Sequence, residues 1–119
     1  MARKRMIDPS FWIDEKLGKM ELINRLLFMG LISNSDDEGR LVGNFSLINS
    51  IIFPYDGFSI KKIEKAIKEI ANLNMIIVYT NDNQQYIQIV NFLEYQTINK
   101  PTKSKYPSYN SSSSVVILR

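Results

Sequence analysis

Apolar and polar positions divide the chain into short helices followed by a hairpin. From Ser59 to Asn74 (SIKKIEKAIKEIANLN), Ile60, Ile63, Ile67 and Ile70 recur at helical spacing and, at about 100° per residue, fall on one side. Lys61, Lys65, Lys68 and Asn72 fall on the opposite side, within roughly 60° of one another. The predicted helix therefore has an anchoring face and a basic face. Ser59 stands where an N-cap belongs, and Asn74 where a left-handed stop belongs. Two β-branched, apolar runs follow, Met75 to Thr80 and Gln85 to Val90, with Asn81, Asp82 and Asn83 supplying turn chemistry between them. In the second run Ile87 and Ile89 share one face while Tyr86, Gln88 and Val90 share the other.

Upstream, a helix is expected from about Met20 to Ser33, with Glu21 in its first turn. Beyond Arg25 it is apolar all round and needs cover on every side. Either it runs through the middle of the domain, or Leu26, Phe28, Met29 and Ile32 pair with another subunit. The next segment, NSDDEGR, reads as a turn in which Gly39 supplies positive φ. Leu41-Val42-Gly43 suits a short third strand, and Phe45 to Ile52 a second helix, capped by Asn44 and ended by Pro54. Tyr55-Asp56-Gly57 then turns the chain into the basic helix. Phe92 to Gln96 suits one helical turn packed on the sheet, and Phe11 with Trp12 an aromatic cap over the core.

This order predicts an α+β fold, a winged helix-turn-helix with a three-helix core and a small antiparallel hairpin or three-stranded sheet. Residues 1–8 form a basic N-terminal arm and 9–96 the winged-helix domain. Residues 97–119 have the composition of a basic, Ser-rich linker or truncated tail. Neither end carries a periodic apolar pattern, so both are expected to be dispensable for the fold. Val115 to Leu118, apolar after a serine run, has no assigned place: an unfinished second segment, a strand docked elsewhere, or the product of a truncated frame.

A chain of 119 residues, 45% hydrophobic, suits one small domain. With no cysteine and no histidine, disulfides, thiolate nucleophiles and imidazole bases are excluded, and the commonest transition-metal ligand is missing. The longest apolar run, Leu26 to Ile32, has seven residues, far short of a membrane span, and no signal peptide is visible. The expected location is the cytoplasm of a bacterial host. Asn34, Asp36, Glu38 and Gly39 match the early places of a calcium loop, but its twelfth place is Phe45, so no metal site is expected. No cofactor is expected either. With no metal cluster, no phosphate-cradling glycine loop and no nucleophile paired with a base, an enzyme is the least favoured class.

Charge sharpens the picture. The net charge of +3 resolves into basic ends and a body, residues 6–96, whose eight cations face twelve acids. Four of those eight, Lys61, Lys62, Lys65 and Lys68, lie in the one basic helix. The candidate DNA contacts are Ser59, these four lysines and Asn72, whose carboxamide suits adenine. Asn81, Asn83 and Gln84 at the hairpin tip rank lower, because Asp82 repels phosphate. Arg3, Lys4, Arg5, Lys100, Lys103 and Lys105 are expected to add sequence-independent affinity from the ends.

In combination, MIDPSFW, LLFMGLISNSDDEGRLVGN, IIFPYD and YIQIVNFLEYQTINKP resemble the N-terminal domain of phage replication proteins of Gram-positive hosts, a group related in architecture to DnaD-like replisome organisers. The resemblance covers about Met6 to Pro107. It implies a winged helix that recognises double-stranded origin DNA or helps assemble the primosome, with host helicase-loading machinery as a further partner, and it assigns no catalytic residue. Two alternatives use the same fold: a self-associating protein-assembly module without direct DNA readout, and a transcriptional regulator.

Overall fold

In the computed structural model, which describes residues 3–119, the elements are α1 (Glu15–Gly18), α2 (Leu22–Asn34), β1 (Arg40–Val42), α3 (Phe45–Ile52) and α4 (Ile60–Asn72), then β2 (Ile76–Asn81), β3 (Gln84–Ile89), α5 (Phe92–Tyr95) and β4 (Ser114–Leu118). A 3-10 turn at Pro9–Ile13 precedes α1. The described residues thus form an α+β domain of five α-helices and a four-stranded antiparallel sheet with strand order β1-β3-β2-β4.

Local chemistry accounts for most boundaries. The Asn44 side chain accepts from Leu47 N at the start of α3, and the Ser59 hydroxyl accepts from Lys62 N at the start of α4. Asn74 ends α4 in the left-handed region at φ 61°. At the β2–β3 tip Asp82 and Asn83 both have positive φ, 52° and 64°, the requirement of a tight primed hairpin turn. Gly39 adopts φ +80°, where a side chain is strained.

The core lies between the helices and one face of the sheet. Leu27 and Leu31 of α2, Ile63, Ile67 and Ile70 of α4, and Ile76, Val78 and Ile87 of the sheet are fully buried together. Two helix expectations change here. Ile60, in the first turn of α4, remains 43% exposed, so the anchoring stripe begins one turn later. The apolar α2 is not covered all round either: it starts at Leu22, and Leu22 and Leu26 face solvent. Phe28 is buried against Phe11, their rings stacked at 6.4 Å, while Trp12 meets Phe11 edge-on and stays exposed.

The largest departure is at the C-terminus, where the linker expectation for 97–119 is overturned. This segment crosses the outer face of the sheet and ends as β4, pairing antiparallel with β2 through Val78↔Leu118 and Thr80↔Val115, with a register shift between Val78 and Tyr79. Tyr79, on that outer face, has no exposure at all, and its hydroxyl donates to Pro107 O at 2.7 Å. Tyr86 lies 5.6 Å from Tyr79 and 5.4 Å from Tyr106, and Arg40 donates to Tyr106 O. The physical reason is chemical rather than periodic: tyrosines and main-chain groups, not an aliphatic stripe, tie the strap down. Its tyrosines and terminal β-branched run supply the cover that a linker lacks.

Burial also pushes the Tyr79 phenol up to about 12. Folding therefore retains a proton that the unfolded chain loses near pH 10, and this contribution to stability is lost as pH rises from there through the folded value. In an alkaline titration followed by phenolate absorbance, one tyrosine is expected to ionise last and together with unfolding. Replacing Tyr79 by Phe should abolish that late step, and its persistence in Tyr79→Phe would assign it elsewhere.

Candidate nucleic-acid interface

The packing of α4 decides which of its side chains can meet a ligand. With Ile63, Ala66, Ile67, Ile70 and Ala71 buried, Lys61, Lys62, Lys65, Lys68 and Asn72 are all exposed. Asn24, buried on α2, donates to Glu69 at 3.4 Å, and Asn49 of α3 donates to Phe58 O at 2.7 Å, so both neighbouring helices hold α4 and its lead-in.

The four lysines are not equivalent. Lys68 pairs with Glu64 one turn earlier at 3.3 Å, an exposed i,i+4 pair, and Lys62 sits over the Phe58 ring at 5.2 Å. Lys61 and Lys65 have no ion-pair partner among the described residues, so they carry the most available charge. The Glu64 pair was overlooked at the sequence level, although the Glu-x-x-x-Lys spacing signals it. Also unanticipated are the exposed apolar side chains around the helix pair: Leu47 and Ile51 on α3, Tyr55 in the turn and Ile60.

At the hairpin tip Asn83 and Gln84 are exposed, but the Asn81 side chain donates to the Ser114 hydroxyl and is not free to reach a base. The basic ends change more. Arg5, expected in a loose arm, has a side chain only 4% exposed: it pairs with Asp37 at 3.0 Å, donates to Ser35 O and lies 5.3 Å over the Phe92 ring. Arg3 also pairs with Asp37 and donates to the carbonyls of Asn99 and Lys100. Neither arginine hangs in a loose arm, because the acidic turn between α2 and β1 has captured both. Lys4, Lys100, Lys103 and Lys105 remain exposed, the last three on the fixed strap. Met1 and Ala2, the start of the expected arm, lie outside the described residues.

That turn is a clamp for main-chain and cationic groups. Asp37 accepts from Thr102 N at 2.8 Å, Glu38 accepts from Ser104 N, and Asp36 accepts from the Ser104 hydroxyl. The Thr102 N–H, then Arg5 and Arg3, hold the Asp37 carboxyl below its ordinary range, against the opposing effect of burial. Among the described residues no cluster of acids, cysteines or histidines is arranged to hold a metal.

Beside α2 lies a cleft of about 580 Å³. All four residues singled out for self-association line it: Leu26 exposed, Met29 and Ile32 half-buried, Phe28 buried. No described helix is long and apolar enough to cross a membrane.

Neither a protein-family model, nor a curated protein, nor a solved structure matches the chain. The functional reading therefore rests on the residues and their placement.

Proposed function

We propose that the chain is a winged-helix DNA-binding module that presents α4 to the major groove of double-stranded DNA. The observation that carries the reading is the exposed cationic face of α4, backed by the buried Ile63, Ile67 and Ile70 and concentrated on an otherwise acidic body. The order α3, turn, α4, hairpin, with β1 as a third strand beside β3, supports the architecture. On this reading Lys61 and Lys65 meet phosphate, Lys62 and Lys68 contribute after leaving Phe58 and Glu64, and Asn72 faces a base edge. Ser59 sits at the helix N-terminus, where main-chain N–H groups favour an anion. The resemblance in the sequence extends the proposal to a phage origin, to replication initiation in the bacterial cytoplasm and to host helicase-loading machinery.

The test is an anisotropy titration with origin and random duplexes at two salt concentrations. Replacing Lys61, Lys65 and Lys68 together by Ala should weaken binding and reduce the salt slope by about two to three units, each phosphate contact contributing roughly 0.9. The lower end applies if Lys68 stays on Glu64. A folded triple variant with an unchanged slope removes α4 from the interface.

A second reading, a protein-assembly module, is favoured by the apolar side chains of Leu47, Ile51, Tyr55 and Ile60 beside the same helix pair. The cleft lined by Leu26, Phe28, Met29 and Ile32 supports self-association, as a dimer or larger assembly, within either reading.

A further inference from the structure

The C-terminal strap is joined to the body through a single strained bend. Lys100 has φ 52°, in the left-handed region that side chains avoid, and it precedes Pro101, whose ring drives the preceding residue toward extended backbone. The bend is held from outside: Arg3 donates to Asn99 O at 2.9 Å and to Lys100 O at 3.0 Å. Beyond it, most of the strap's polar anchors lie on the body. Asp36, Asp37 and Glu38 hold Thr102 and Ser104, Arg40 and Tyr79 hold Tyr106 and Pro107, and β2 holds β4. None of these contacts depends on which copy of the chain supplies the strap.

We propose that the strap exchanges between two copies of this chain, each β4 pairing with the β2 of the other, so that Lys100 and Pro101 act as an extending hinge. The closed form keeps every anchor but retains the strained bend. The exchanged form keeps the same anchors beyond Pro101, gives up the Arg3 bonds to Asn99 O and Lys100 O to water, and lets Lys100 relax to extended backbone, twice per dimer, which offsets the loss of independent motion at high protein concentration. The sheet face bearing Tyr79 is then completed by the partner copy, and two α4 helices travel in one particle. The inference holds whether or not α4 meets DNA.

The chain has no cysteine, so a single engineered pair reports the exchange cleanly. Thr80 and Val115 are register partners across β2 and β4. Two full-length variants, T80C and V115C, one bearing a mass tag, are unfolded, mixed, refolded at high concentration and oxidised or bridged with a short bismaleimide. The expected product is a covalent heterodimer of the two variants, absent when each is folded separately before mixing under conditions where exchange is slow. The double variant T80C/V115C at low concentration, linking within one chain, is the control that the pair can close. Adding K100G, which tolerates positive φ, or P101A, which lifts the restriction on Lys100, should weaken the dimer about tenfold or more. If the control links and the mixture gives no crossed product at any concentration, the strap closes only on its own chain. A crossed product unaffected by both hinge variants would overturn the role assigned to Lys100.

Discussion

Replacing Tyr79 by Ala is expected to lower stability by about 3–5 kcal/mol, the usual range for removing a buried aromatic ring, a large part of a small domain's total. The side chain has no exposed surface, contacts the rings of Tyr86 and Tyr109, and lies under the strap rather than in the aliphatic core. Tyr79→Phe separates the ring from its hydroxyl. It keeps the packing and loses only the bond to Pro107 O, a change of about 1 kcal/mol. Ending the chain after Pro101 should destabilise in the same direction, since Tyr79 loses cover and β2 acquires an open edge. Urea unfolding of the three variants measures this. Equal midpoints for the truncated and full-length chains would return residues 102–119 to the status of a linker.

The elements that short-range chemistry specifies were legible in the sequence. Asn44 and Ser59 cap helices because a side-chain oxygen reaches an N–H three residues on, and Asp82-Asn83 turns the hairpin because both tolerate positive φ. The same holds for the exposed lysines of α4, which follow from its buried isoleucines. The strap was not legible, for a reason of range. Its anchors join Asp37 to Thr102 and Tyr79 to Pro107, pairs far apart in sequence, and they use main-chain donors and tyrosines. Hydrophobic periodicity is blind to both, and serine and proline around them imitate a linker. The basic N-terminal arm failed similarly. Charge counting registers Arg3 and Arg5 as free cations, whereas Asp37, distant in sequence, holds them.

The pair Gly39→Ala and Gly57→Ala should separate conformational strain from steric collision in this fold. Both glycines have positive φ, +80° and +65°, so an added Cβ meets similar backbone resistance at each, about 1–2 kcal/mol. Around Gly57 nothing lies within 4 Å of the new Cβ, and the loss should stop there. At Gly39 the Cβ would stand 2.6 Å from Cβ and Cγ of Phe92, which is buried and packed beneath the Arg5 guanidinium. Neither side can yield easily, since Gly39 O accepts from Ile89 N at 2.7 Å and so fixes the turn to the end of β3. Displacing Phe92 adds the cost of overpacking, about 1–3 kcal/mol, for a total of about 2–5 kcal/mol. Urea unfolding should therefore show a much lower midpoint for Gly39→Ala than for Gly57→Ala, with the slope unchanged for both. Because Phe92 supports Arg5, and Arg5 shares Asp37 with Arg3, the first variant should also loosen the N-terminal segment, seen as faster hydrogen exchange at Met6, whose N–H is held by Gln96. Equal midpoints for the two variants would mean that Phe92 moves aside freely and that the acidic turn is not braced by α5.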